Sequence, residues 1–266
     1  MFLSEPGQTN YDIRFNLLGF PVRVHPMFFL IGVFLGASSF RDGTATLIFV
    51  GILFLSVLIH ELGHAFAFRQ FRIPCRIVLY MMGGLAIPGD NNPWSSGANY
   101  SLSPKQQIWV SFAGPLAGFL LAGFLIAICI ALQAKVIPYF SNYIPGVAVD
   151  FEDSLIAGNR YLPLLLQMGI WINIYLNLLN LLPVYPLDGG QIARQLFIQS
   201  DSQNGVRNSI ILSIVTAGLI ALLSFSAGST FIGFFFGFMA WQNYMSLKQF
   251  GGGGYGGGGY GGGRPW

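Results

Sequence analysis

Charge is scarce in this chain. Asp, Glu, Lys and Arg make up 9% of its 266 residues, against about 25% in an ordinary soluble domain. With 53% hydrophobic residues and a mean hydropathy of +0.60, that deficit excludes a typical soluble globule and points to a polytopic membrane protein. Cysteine is nearly absent: Cys75 follows a basic stretch and Cys129 lies inside an apolar one, a spacing that matches neither a disulfide framework nor a cysteine metal knuckle. The net charge of +3 is too small for a nucleic-acid partner, and none is expected. The first residues, with Glu5, Gln8, Asn10 and Asp12, lack the apolar core of a cleaved signal, so the first span is expected to serve as its own insertion signal.

What is present is a series of long apolar runs. Residues 11–24 alternate and are rich in β-formers, with Leu18-Gly19-Phe20-Pro21 as a turn, and read as an interfacial hairpin. Pro26 suits the first turn of a helix, and residues 27–40 form a first, short span. Residues 44–68 form a second, followed closely by Arg69, Arg72 and Arg76. Residues 77–88 are apolar but broken by Gly83-Gly84; they are too short to cross twice, and a re-entrant or interfacial β-hairpin fits. Residues 91–103 and 135–160 read as loops. Further spans are expected over 106–133, 161–187, 208–224 and 230–247, with a short polar helix over 191–200. Small residues in Ala113-Gly114-Pro115-Leu116-Ala117-Gly118 allow close helix packing.

The expected fold class is therefore an all-α polytopic membrane protein of about six transmembrane helices with a small interfacial or re-entrant β element. Residues 1–24 form an N-terminal interfacial segment, 25–248 the transmembrane domain, and 249–266 a Gly/Tyr-rich tail that cannot bury enough surface to fold.

The chemistry concentrates in His60-Glu61-Leu62-Gly63-His64, near the end of the second span. Residues four apart share a helix face, so both imidazoles can reach one metal ion, with Glu61 one position beyond the first. This is the H-E-x-x-H arrangement of zinc hydrolases, in which the glutamate is a base rather than a ligand. Five-residue patterns do arise by chance, but a carboxylate in a membrane-length apolar segment is costly and marks function.

Two histidines do not complete a catalytic zinc site, which needs three protein ligands and one open position. The other donor in an apolar span is Asp188, in Asn180-Leu181-Leu182-Pro183-Val184-Tyr185-Pro186-Leu187-Asp188-Gly189-Gly190. Pro183 and Pro186 break the helix, and the two glycines let the chain turn tightly. Asp188 has a second reading, as N-cap of the helix that follows. Asn173, Asn177 and Asn180 share one face of the fourth span; they either line a wet channel or substrate path, or bond neighbouring helices. His25, at the start of the first span, reads as a polar anchor and is not counted as a ligand.

The two separated motifs, H-E-x-x-H and N-x-x-P-x-x-x-x-D-G, resemble those of the site-2 protease family of intramembrane zinc metalloproteases. The resemblance runs over residues 24–200. It implies one Zn2+ held by His60, His64 and Asp188, with Glu61 as base. It also implies a substrate-binding role for Asn180 and for the Gly83-Gly84 segment, whose strand edge would take an unwound substrate. Residues 25–248 would then be a metalloprotease domain acting on membrane-anchored proteins. Many members carry an asparagine where Gly118 stands, and many carry a PDZ domain in a loop. The longest loop expected here, 135–160, is too short for a domain, which needs about 50 residues.

Six spans place both termini on one side. If that side is the cytoplasm, only Arg41, Lys135 and Arg160 of the 13 basic residues lie outside, as the positive-inside rule requires. A multi-pass protein of a bacterial inner membrane is expected. The competing readings are a zinc-binding membrane transporter and a non-proteolytic membrane scaffold. A transporter would show repeated halves, and the two motifs here differ.

Overall fold

The computed structural model describes residues 7–89, 102–141 and 144–251. The polar stretch 91–101, read as loop, and the glycine-rich residues 252–266 lie outside the described residues. The chain divides into two compact units, Met1–Leu181 and Leu182–Trp266.

In the first unit, β1 (Ile13–Leu17) and β2 (Phe20–Val24) form an antiparallel hairpin. Its turn has φ of 53° at Leu18 and 87° at Gly19, the paired positive values of a tight hairpin turn. The hairpin is fastened at two places. The Arg69 guanidinium donates to Leu18 O at 3.0 Å and lies over Phe20 and Phe66. Buried Arg23 donates to Asp12 Oδ2 at 3.1 Å, and Asp12 also accepts from the Thr9 amide and hydroxyl. Burial pushes the Asp12 carboxyl up, but these hydrogen bonds and the Arg23 charge outweigh it and hold the pKa at about 2.

Two helices, α1 (Pro26–Ser39) and α2 (Gly43–Gln70), return the chain so that β3 (Cys75–Tyr80) pairs parallel with β2. His25 caps α1, its Nδ1 accepting from the Met27 amide at 3.2 Å. Asp42 caps α2 in the same way, accepting from the Thr44 amide at 3.0 Å. β4 (Gly83–Pro88) closes a four-stranded sheet of order β1-β2-β3-β4, with β4 on its edge. The expected hairpins at 11–24 and 77–88 thus belong to one sheet. Phe20, Val22, Val24, Ile77 and Leu79 pack with Val57, Leu58, Leu62 and Ala65 of α2, so the sheet rests on the half of α2 that carries the histidines.

α3 (Pro104–Ala131) begins with a capping box between Ser103 and Gln106 and holds Pro115 in its interior. It crosses α2 so closely that a Cβ on Gly63 would strike Ala113 O, the close approach that small residues permit.

Residues 135–160 depart from the loop expectation. They contain a second hairpin, β5 (Lys135–Ser141) and β6 (Ile144–Asp150). Pro138, Pro145 and Gly146 disguise the alternation of Val136, Val147 and Val149. The strand is held by side chains of α4 (Leu162–Asn180): Gln167 bonds Val149 N at 2.8 Å and Val147 O at 3.0 Å, and Trp171 Nε1 reaches Val147 O at 2.9 Å. That tertiary support is invisible to local pattern. α4 is shorter than the expected 161–187 span. It ends at Asn180 because Pro183 and Pro186 lack amide hydrogens and disfavour helix before them.

In the second unit, α5 (Asp188–Ser200) precedes an α-hairpin of α6 (Gly205–Ser226) and α7 (Thr230–Gly251). Val184, Ala217, Ala221, Phe236 and Met239 form its core.

Among the described residues, α2, α3, α4 and α6 are long and apolar enough to cross a membrane. α1, with 14 residues, is short for a hydrocarbon core about 30 Å thick at 1.5 Å per residue. α7 is long enough but carries Gln242 and Asn243 in its second half. Small sheets beside membrane-length helices make the architecture mostly, not wholly, helical.

Candidate metal centre

α2 is apolar around its circumference, so its polar groups are conspicuous. His60, Glu61 and His64 are 4%, 5% and 7% exposed, and one donor atom from each lies within 4.8 Å of the others. The imidazole rings are nearly perpendicular, with centroids 4.8 Å apart. Their Nε2 atoms face each other at 3.1 Å.

The hydrogen-bond network assigns the tautomers. His64 Nδ1 lies 2.7 Å from Val110 O, a backbone carbonyl that can only accept, so Nδ1 carries the proton. His60 Nδ1 lies 2.8 Å from Asn177 Oδ1. The Asn177 amide is oriented by its Nδ2, which donates to Asn173 O; the oxygen therefore faces His60, and His60 Nδ1 is the donor. Each Nε2 is then directed towards the other, beside a buried carboxylate. Three ligand-type side chains gathered this closely in a buried site suit a cation. Imidazoles whose Nδ1–H groups are oriented by an acceptor are how histidine meets a metal. The residues present fit a divalent ion.

Backbone lacking side chains walls the cluster. A Cβ on Gly84, in β4, would fall on the Glu61 carboxylate; one on Gly114 would fall on His64 Nε2; one on Gly118 would fall on the Asn177 carboxamide. Gly83, at φ 120°, leads into that strand. The sheet edge and the glutamate are thus in direct contact. Position 118, where the resemblance leads one to look for an asparagine, is instead the space into which Asn177 of α4 reaches. Asn177 was legible only as one of three asparagines on a helix face, with nothing to single it out. Asn173, one turn earlier, donates to Ser56 Oγ and Gly169 O, both at 2.8 Å. Asn180 is the last, half-buried residue of α4.

Asp188 lies in the second unit, as the first residue of α5. The N-cap reading does not hold: the cap position is Leu187, and no side chain makes a capping bond there. A carboxylate in a helix's first turn is still favoured by the dipole. The segment before it is held firmly. Tyr185 N donates to Ser213 Oγ at 3.0 Å, and Asn243 Nδ2 donates to Tyr185 O at 2.7 Å. Gly190 lets the backbone of Val184 and Tyr185 pass against α5. Ser213 and Asn243 sit on helices that sequence alone gives no reason to connect to Asp188.

Burial raises the Cys75 thiol to about 12, with the Glu61 carboxylate adding to the effect and Arg76 opposing it. Cys75 is a packed side chain rather than a reactive one.

An H-E-x-x-H helix buried among membrane-length helices defines a class, the membrane-embedded H-E-x-x-H metalloproteins. Residues 48–225 match the profile of peptidase family M50, and the chain belongs to that family. It is an integral membrane protein. It is 28% identical over 191 residues to zinc metalloprotease MJ0392 of Methanocaldococcus jannaschii, covering 70% of this chain and 46% of that one. It is 33% identical over 214 residues to putative zinc metalloprotease sll0528 of Synechocystis sp., covering 74% and 47%. The chain thus spans about half the length of the curated relatives it matches. In fold it is similar to the solved site-2 protease from Methanocaldococcus jannaschii, with a TM-score of 0.55 and 20% identity over 89% of this chain and 95% of that one.

Proposed function

We propose that this chain is an intramembrane zinc endopeptidase that hydrolyses peptide bonds within or near the transmembrane segments of membrane-anchored proteins. The observation that carries the reading is the buried cluster of His60, Glu61 and His64, one ligand atom from each lying within 4.8 Å of the others. His60 and His64 would hold the ion, with Asp188 of the second motif as the third ligand. The chemistry supplied by bound zinc is acidification of water, towards a pKa of about 7, and polarisation of the scissile carbonyl. Glu61 takes the proton of the attacking water on its carboxylate and returns it to the leaving amine.

A transmembrane substrate hides its amides within a helix and must unwind before attack. Among the described residues no strand pairs with the outer edge of β4, so that edge can take an extended substrate by strand addition, and Gly83 and Gly84 let its backbone approach the glutamate. Asn180, at the end of α4, bonds the unwound substrate. The short helix α1 and α7 join the four membrane-length helices as spans, giving six, with both termini in the cytoplasm of a bacterial inner membrane. Residues 25–248 are then the protease domain, flanked by the 1–24 interfacial segment and the 249–266 tail.

The test is cleavage of a model transmembrane peptide by the purified chain in detergent. Removal of zinc by a chelator is expected to stop cleavage and re-addition to restore it. Cleavage unaffected by chelation refutes the metal mechanism.

A further inference from the structure

The His60 ring is held at Nδ1 from another helix. Its Nδ1–H is taken by Asn177 Oδ1, from α4, at 2.8 Å. Asn177 is fully buried, and its amide is fixed because its Nδ2 donates to Asn173 O. The carboxamide occupies space that exists only because position 118 of α3 has no side chain; a Cβ there would overlap both the nitrogen and the oxygen of that amide. Three helices therefore meet at one hydrogen bond: α2 brings the ring, α4 the acceptor and α3 the room. His64 differs, since its Nδ1 is held by a backbone carbonyl, Val110 O, which no substitution removes.

We infer that Asn177 is a positioning residue: it locks His60 as the Nδ1–H tautomer with Nε2 aimed at the metal site, and Gly118 is the vacancy that admits it. A carboxamide accepts this proton without adding charge. An apolar residue at 177 removes the Asn177 acceptor from a buried Nδ1–H, which favours a flipped ring or the other tautomer, and either turns Nε2 into a poorer ligand. Loss of such a partner typically weakens metal binding by about 10- to 100-fold. The same volume can also be filled from the other side. A side chain rising from residue 118 begins where the Asn177 amide now sits, within a Cβ–Cγ–Oδ1 reach of the acceptor position.

This inference rests on the metal-site reading but is tested apart from cleavage. The chain has 3 histidines, so [15N]histidine NMR of metal-free protein in detergent resolves their tautomers, and competition with a chelator gives the affinity for Zn2+ alone. Wild type is expected to show His60 protonated at Nδ1. Asn177→Ala is expected to lose that signature and to bind Zn2+ about 10- to 100-fold more weakly. Gly118→Asn alone overfills the site and is expected to be as poor. Combined with Asn177→Ala, it is expected to restore the Nδ1–H signal and bring affinity back to within about 3-fold of wild type, a rescue well inside the 10- to 100-fold loss. An unchanged His60 tautomer in Asn177→Ala, or a double variant no better than the single one, overturns the inference. A wild-type protein that shows the tautomer and binds zinc but cleaves nothing refutes the proposed function and leaves this inference standing.

Discussion

At the scale of residues, the centre is made as much by missing side chains as by present ones. Gly114 is the clearest case, since a methyl group there would occupy the position of His64 Nε2. Gly114→Ala is expected to abolish zinc binding, read by metal analysis of purified protein, while Gly123→Ala on the same helix, where a Cβ meets nothing, is expected to leave it unchanged. Cys75 supplies a second check. With its thiol at about 12, the thiolate is negligible from pH 7 to 9, and the residue is expected to resist maleimide across that range until the protein is unfolded. Rapid labelling of native protein at pH 8 would contradict the burial described for β3. The H-E-x-x-H pair was legible because helical spacing alone puts both rings on one face. Asn177 was not, because its meaning depends on α2, α3 and α4 meeting, which no local pattern encodes.

At the scale of elements, the four-stranded sheet joins segments that read separately as two hairpins. Alternation and turn residues announced the first hairpin and a short apolar run broken by Gly83-Gly84 the second, though those glycines open β4; the parallel pairing of β2 with β3 depends on how α1 and α2 return the chain. The β5–β6 hairpin was hidden for the same kind of reason: its strands are fastened by Gln167 and Trp171, far along the sequence. The N-terminal hairpin carries a pH dependence whose sign is set by Asp12. Its folded pKa of about 2 lies below the ordinary 3.8, so its contribution is present in full above pH 4 and is lost as pH falls towards 2. Hydrogen exchange in β1 and β2 is expected to accelerate over that window. In Asp12→Asn it is expected to be fast already at pH 7, while α2 stays protected. β4 has a different role, and Gly84→Ala tests it, since a Cβ there presses on Glu61. Cleavage is expected to fall by at least about 100-fold, the scale of losing one general-base step, with zinc content retained. Undiminished cleavage would remove β4 from the account of substrate approach.

At the scale of the whole molecule, the apolar composition announced a membrane protein, and among the described residues four helices are both long and apolar enough to cross a membrane. The break after α4 was legible from Pro183 and Pro186, but the holding of Tyr185 by Ser213 and Asn243 was not, since it joins three distant stretches. Six spans with cytoplasmic termini predict that a reporter fused after Trp266 is cytoplasmic and one inserted near Lys135 lies across the membrane; reporters on the same side would contradict that topology. The measurement that bears most directly on the central claim pairs metal content with cleavage in Glu61→Gln. The variant is expected to hold one zinc per chain, as wild type does, and to leave a model transmembrane peptide intact. Equal cleavage by variant and wild type would contradict the role given to Glu61 and, with it, the proposed peptidase mechanism.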